Sequence, residues 1–138
     1  MPGFSLHKSE KVRSQKLIES LFGKKTPACV HAGFRIAWVQ TDTTQAPCSV
    51  LFVSPKKKLK LAHDRNKRKR LLRELYRLNK QDLLNYLKAS NLHIAISLNY
   101  VGIEPLSFHL HQVGFQKALN KLILELQNNH SVSVPPAH

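Results

Sequence analysis

Acidic residues and thiols are scarce in this chain. Its 138 residues include 8 Asp and Glu against 22 Lys and Arg, and the formal net charge is +14. With so few carboxylates no acid–base pair stands out, and the 2 cysteines form neither a CxxC motif nor a metal-ligand spacing. We therefore expect Cys29 and Cys48 to be free structural thiols in a reducing compartment. The sequence indicates no active site of its own.

Long apolar runs and glycine-rich motifs are also missing. No stretch approaches the about 20 apolar residues of a membrane-spanning helix, and the first residues have no signal-peptide core. We therefore expect a cytoplasmic protein without a membrane partner. The 5 glycines form neither a phosphate-binding loop nor a nucleophile elbow. The 8 histidines are scattered, and His109 and His111 have no thiol or carboxylate at metal spacing, so we assign no metal ligand.

The length and composition fit one domain with a real core. A chain of 138 residues with 42% hydrophobic residues can bury a core but is too short for two independent ones. The last residues, NNHSVSVPPAH, have no periodic apolar pattern. We expect a single domain over residues 1–127 and a disordered C-terminal tail over residues 128–138.

The apolar pattern predicts an α+β sandwich in which helices pack on a small sheet. The polar residues 41–47 are rich in turn formers and predict a hairpin between the strands that flank them. The predicted elements are a helix over 9–22, one or two strands within 28–39, a strand over 48–54, a helix from about 62–65 to 87 with a break around 79–82, a strand over 92–98 and a helix over 108–126.

The basic residues are concentrated in one segment. Half of the 22 Lys and Arg residues lie between Lys56 and Arg77, where Asp64 and Glu74 are the only acids. Unpaired charges are costly to bury, so this block needs either water or a polyanion beside it. The large positive charge favours nucleic acid or an anionic membrane as the partner.

A helical projection separates this segment into two faces. With an advance of about 100° per residue, leucines occupy one side and cations the other, although Arg68 falls within the apolar arc, from which its head can extend outward. A solvated face would mix acids and bases at four-residue spacing, so the uncompensated cations favour nucleic acid, without separating RNA from DNA. A membrane-binding helix would carry Trp or Phe on its apolar side, and this one does not. The cationic side holds Arg65, Asn66, Lys69, Arg70, Arg73 and Arg77, and the apolar side holds Leu71, Leu72, Leu75 and Leu78.

The same segment resembles a known family. The sequence RNKRKRLLR at residues 65–73 is similar to R-N-R-x-K-R-x-x-R, the hallmark of the protein subunit of bacterial ribonuclease P. The third position is Lys67 instead of Arg, which keeps the charge but loses the planar fork. The resemblance extends over about residues 5–125 through the order of the elements. The matching motif residues are Arg65, Asn66, Lys69, Arg70 and Arg73, and Lys56 and Lys57 match the Lys pair that precedes the motif.

The resemblance implies a fold and a function. The family fold is an αβββαβα sandwich with a small four-stranded sheet, of the ribosomal protein S5 domain 2-like kind. Its β-α-β crossover is left-handed, whereas such crossovers are usually right-handed. The family members are RNA-binding subunits that assist a catalytic RNA in the endonucleolytic removal of the 5′ leader from precursor tRNA. The RNA and its Mg²⁺ ions carry the chemistry, so we expect no catalytic side chain and no metal or cofactor bound by the protein itself. The implied partners are the catalytic RNA, in a 1:1 complex, and the precursor tRNA leader.

The resemblance also implies two binding sites. The basic helix and the loop before it would contact the RNA subunit, and a cleft between sheet and helices would hold the single-stranded leader, with aromatic side chains that stack on its bases. The predicted RNA-binding residues are Lys56, Lys57, Arg65, Asn66, Lys67, Lys69, Arg70, Arg73 and Arg77. The predicted cleft residues are Phe22, Ile18 at the position of a second helix aromatic, and, more weakly, Phe34, Trp38 and Phe52, for all of which core packing is the competing interpretation. The alternative function is a structural protein that binds ribosomal RNA and has no processing activity.

Overall fold

The computed structural model describes residues 11–12, 15–23, 25–41, 46–54, 61–102 and 105–133, with side chains as far as residue 128. It confirms an α+β fold with helices on both sides of one small sheet. In chain order the elements are α1 Gln15–Leu21, β1 Ala28–His31, β2 Phe34–Gln40, β3 Cys48–Val53, α2 Ala62–Asn79, α3 Gln81–Ala89, β4 Ile94–Tyr100 and α4 Phe108–Ser133. None of these described helices is both long and apolar enough to cross a membrane.

The sheet has the order β1-β2-β4-β3. Strand β2 pairs antiparallel with β1 and with β4, whereas β3 pairs parallel with β4. The predicted hairpin between β2 and β3 is therefore wrong, because β4 lies between them. Polar turn residues indicate that the chain leaves the sheet, but they do not determine which strand pairs next. Six of the seven residues of β4 are buried, which suits a strand in the interior of the sheet.

The connection from β3 to β4 runs through α2 and α3. It is the parallel β-α-β crossover that the family resemblance implies, and its handedness stays a prediction. The predicted break in this helical segment is confirmed, since α2 ends at Asn79 and α3 begins at Gln81. This arrangement places the basic helix directly after the strand at one edge of the sheet.

Two helix boundaries differ from the expectation. Lys11 forms a β-bridge with Val50, and the Val12 N–H donates to the Val50 carbonyl at 3.1 Å, so this segment is extended and α1 begins later than predicted. Val12 falls within the helix predicted over residues 9–22, but it is buried beside β3 instead. Helix α4 continues past residue 126 to Ser133, and the division into a domain and a tail at residue 127 stays a prediction.

The two faces of the sheet are covered unequally. The larger core lies between one face and α2, α3 and α4, and a smaller cluster lies between the other face and α1. The smaller cluster joins Val12 and Leu21 to Ala95, with Val39 and Leu51 packed against them. Since successive strand residues point to opposite faces, residue parity decides which of the two layers a strand side chain joins.

Candidate nucleic-acid interface

Helix α2 docks on the sheet through a buried stripe. Leu72, Leu75 and Tyr76 are fully buried, and the Tyr76 ring meets the Phe52 ring edge-to-face with 6.2 Å between the ring centroids. The leucines follow the predicted apolar arc. The sequence did not predict the burial of Tyr76, because this residue lies at about 20° on the helical projection, among the cations. Its burial widens the docked side of α2 and fixes which residues remain exposed.

The opposite side of α2 presents the cationic face, which we define as Arg65, Asn66, Lys67, Lys69, Arg70, Arg73 and Arg77. Asn66, Lys67, Arg70 and Arg73 are exposed, and the other three are partly buried. All seven predicted RNA-binding residues of the helix are thus exposed or partly exposed. Lys56 and Lys57 lie outside the described residues, so their placement stays a prediction.

Acidic residues compensate little of this charge. Asp64 and Glu74 are the only acids in α2. Glu74 accepts a hydrogen bond from Arg77 at 2.6 Å in an ion pair one turn apart, so Arg77 is partly neutralised. Asp64 lies in the first turn, where a negative charge interacts favourably with the helix dipole. Among the residues that the structure describes, neither of these acids forms an ion pair with Lys67, Arg70 or Arg73.

Two arginines of α2 lie over aromatic rings of the sheet. The Arg68 guanidinium carbon is 5.2 Å from the centroid of the Tyr100 ring, and that of Arg73 is 5.6 Å from the centroid of the Phe52 ring. Arg68 also donates from Nη1 to the Tyr100 carbonyl at 3.4 Å. Its head does not extend outward as expected, because these two contacts hold it along the docked side, at the end of β4.

The predicted leader cleft does not assemble as a single site. Phe34, Trp38 and Phe52 point to the face covered by α2, α3 and α4, whereas Ile18 and Phe22 belong to α1 and its end on the other face. Phe34 is fully buried against Tyr100 and Phe115, and Trp38 is buried as well. These two residues are core, and Phe52 packs under α2, so we correct this part of the prediction. Of the five candidates, Phe22 is the one whose ring is largely exposed, at 57%.

Other residues occupy the α1 side of the sheet. Arg35 is paired with Asn99 across β2 and β4, and Asn99 is paired with Val53 across β4 and β3. All three are partly buried, and Asn99 Oδ1 is buried without a hydrogen-bond partner in the described part of the chain. The sequence reasoning missed them because it searched for aromatic residues. The alternation along β2 was the available signal, since Arg35 must oppose the face that holds Phe34 and Ile36.

Comparison with known proteins decides the family. The ribonuclease P family model matches residues 6–122. A ribonuclease P protein component from Porphyromonas gingivalis strain W83 is 31% identical over 121 residues, which cover 88% of each chain. The protein component from a second strain, ATCC 33277, is 32% identical over 86% of this chain and 87% of its own. The one from Chlorobium phaeobacteroides is 35% identical over 71% of this chain and 73% of its own.

This chain belongs to the ribonuclease P protein family. The recognition made from the motif at residues 65–73 is therefore confirmed, and the reported relatives give no support to the ribosomal alternative. Members of the family are protein components of an endoribonuclease of tRNA 5′ maturation. The Arg, Asn and Lys residues that match the family's hallmark motif are thus exposed or partly exposed on α2, whereas Arg68, at the variable fourth position, turns toward the sheet.

Two cysteines and one histidine of this ribonuclease P protein make contacts within the fold. Cys29 and Cys48 are buried and form no disulfide, as predicted, and burial raises the pKa of the Cys29 thiol, with a smaller contribution from nearby Glu125. His111 contacts the Tyr100 hydroxyl through Nε2 at 3.1 Å and caps the start of α4 through Ser107. In the described ranges, no three His, Cys, Asp or Glu side chains are grouped as metal ligands would be.

Proposed function

We propose that this chain binds the catalytic RNA of ribonuclease P through the cationic face of α2 and the 5′ leader of precursor tRNA through the α1 side of the sheet, in a 1:1 complex with the RNA. The observation that carries the proposal is the cationic face itself. It is held by a buried leucine and tyrosine stripe and bears few acids, on a chain of the ribonuclease P family.

The chemistry of the cationic face suits an RNA backbone. Arg70 and Arg73 are exposed, and a guanidinium can donate two parallel hydrogen bonds to the oxygens of one phosphate. Lys67 acts as a point charge without this fork. Asn66 can both donate and accept at a base, a ribose or a phosphate. Because each neutralised phosphate releases counterions, binding through this face is expected to weaken steeply with salt.

The α1 side supports binding of a single strand. The exposed ring of Phe22 offers a stacking surface, which is tolerant of sequence because every base has an aromatic face. Arg35, which is partly buried and paired with Asn99, supplies a positive charge on the same side. Ile18 is partly buried against the smaller cluster and contributes apolar contact only. A leader bound here would lie across the sheet from the cationic face.

The reaction itself belongs to the RNA subunit in this proposal. The protein raises the affinity for precursor tRNA and for the Mg²⁺ ions that the RNA holds, and it supplies no catalytic side chain, metal ligand or cofactor. Two macromolecular surfaces on opposite sides of one sheet suit a protein that bridges enzyme RNA and substrate RNA. We place this activity in the cytoplasm.

Site-specific photocrosslinking tests the leader site. A photoreactive phenylalanine at position 22 is compared with one at position 124, because Phe22 and Leu124 are equally exposed at 57% and 58% but lie on opposite sides of the sheet. In the assembled holoenzyme, we expect position 22 to crosslink to the leader of precursor tRNA and position 124 not to. Equal crosslinking from both positions, or none from position 22, would overturn the leader site.

A further inference from the structure

We propose that Phe52 is a positioning residue, which holds the Arg73 guanidinium in place for a phosphate of the RNA subunit. The inference rests on the proposed binding of that RNA by the cationic face. It assigns to Phe52 a role other than the leader contact for which the sequence made it a candidate, and it names a residue outside the family's basic motif that acts through a motif residue.

The Phe52 ring connects the exposed Arg73 to the buried core through two contacts. The Arg73 guanidinium carbon lies 5.6 Å from the centroid of the Phe52 ring, and that ring meets Tyr76 edge-to-face at 6.2 Å and 70°. Tyr76 is fully buried, and Phe52 is partly buried in β3 beside the buried Leu98 of β4. The Phe52 ring is thus supported from beneath, while Arg73 above it is exposed.

The guanidinium of Arg73 remains available for a ligand. It makes no hydrogen bond or ion pair with any residue that the structure describes, whereas Arg68, in the comparable pair, donates to a backbone carbonyl. A guanidinium held over a ring face by a cation–π contact can still donate its N–H groups to the oxygens of a phosphate. An arginine that is already ordered loses less conformational freedom when it binds. Phe52 would therefore raise affinity without touching the RNA.

A simple packing role for Phe52 makes a different prediction. Leucine would fill most of the same apolar space, so Phe52→Leu keeps burial but removes the ring face beneath Arg73. Phe52→Tyr keeps the ring face. If packing alone matters, the effect of Phe52→Leu on RNA binding must be independent of the residue at position 73.

A double-mutant cycle separates the two interpretations. The affinity of the full chain for a bacterial-type ribonuclease P RNA is measured for Phe52→Leu, Arg73→Ala and the double variant, with thermal unfolding to show that each is folded at the assay temperature. We expect Phe52→Leu to weaken binding about two- to fivefold in the wild-type background and to have no further effect in the Arg73→Ala background. Phe52→Tyr, which keeps the ring, should bind as tightly as the wild type. The matched control is the same cycle with Arg70→Ala, where we expect the two effects to multiply, because Arg70 is exposed on the same helix and lies over no ring in the described part of the chain.

The failures are distinguishable. An equal loss from Phe52→Leu with Arg or Ala at position 73, or no loss in either background, would overturn the positioning role of Phe52 while leaving RNA binding by α2 intact. If instead Arg70→Ala and Arg73→Ala both bind as tightly as the wild type, the cationic face fails as an RNA site, and the inference fails with it.

Discussion

The guanidinium of Arg68 lies 5.2 Å from the centre of the Tyr100 ring and donates to the carbonyl of the same residue at 3.4 Å. This pair connects the first half of α2 to the end of β4. It explains why a cation stands within the apolar arc of the helix: its charge is directed along the docked side instead of toward solvent. Within a segment of very high positive charge, one arginine therefore stabilises the fold.

Arg68→Leu is expected to lower stability more than RNA binding. Loss of the ring contact and of a long hydrogen bond from a charged donor should reduce the free energy of unfolding by about 1 kcal/mol. The slope of log K against log salt for the RNA subunit should stay at the wild-type value. Chemical unfolding and a salt titration of RNA binding measure the two quantities. A decrease of the slope by one contact would show instead that Arg68 binds a phosphate.

Arg70→Ala should have the converse effect. Arg70 is exposed on the cationic face, so its removal should leave the unfolding midpoint almost unchanged. We expect the affinity for the RNA subunit to fall and the salt slope to decrease by about one released counterion. Binding measured over a range of salt concentrations checks this, and an unchanged slope would remove Arg70 from the phosphate contacts.

Leu21 and Phe22 are adjacent residues with opposite expected effects. Leu21 is 1% exposed and Phe22 is 57% exposed. Leu21→Ala should reduce the free energy of unfolding by about 2–5 kcal/mol, because it leaves a cavity between α1 and the sheet. Phe22→Ala should leave stability nearly unchanged and weaken holoenzyme binding of precursor tRNA by about five- to tenfold, through the loss of one stacked base.

Mature tRNA, which has no leader, is the control substrate for Phe22→Ala. Its affinity should be the same for the wild type and the variant. If both RNAs bind more weakly by the same factor, then Phe22 contributes to something other than leader recognition.

The buried thiols make a prediction about pH. Burial raises the pKa of Cys29 above its ordinary value of 9.0, so the unfolded chain loses this proton at a lower pH than the folded chain. The contribution of Cys29 to stability is therefore complete below about pH 9 and is lost as the pH rises through the folded-state pKa. The difference in unfolding free energy between the wild type and Cys29→Ala should shrink from pH 8 to pH 10.5, measured by urea unfolding. A constant difference would contradict the raised pKa.

The sequence predicted the kinds of elements better than their neighbours. Alternating and helical periodicities are local, and they placed the strands, the break after Asn79 and the two sides of α2. The pairing of β4 between β2 and β3 depends on contacts that are distant in sequence, and no local turn signal contains them. Val12 was assigned to a helix because its apolar character alone does not distinguish a helix face from a position beside a strand.

For the candidate site, too, the sequence predicted what depends on local spacing and did not predict contacts between residues distant in sequence. The motif at residues 65–73 was sufficient for most of the cationic face, because helical spacing places Arg65, Asn66, Lys69, Arg70 and Arg73 on one side. The leader residues were predicted from residue type without strand parity, and so Phe34, Trp38 and Phe52 were grouped with side chains that lie on the other face. The ring of Phe52 beneath Arg73 joins a strand to a helix across the crossover, and no periodicity within either element indicates that contact.

The most direct test of the account is the rate of 5′ maturation of precursor tRNA. The chain is assayed alone, with a bacterial-type ribonuclease P RNA, and the RNA is assayed without it, at a Mg²⁺ concentration that supports little cleavage by the RNA alone. We predict that the protein alone cleaves nothing and that its addition to the RNA increases the rate of leader removal. An unchanged rate with and without the protein would contradict the account.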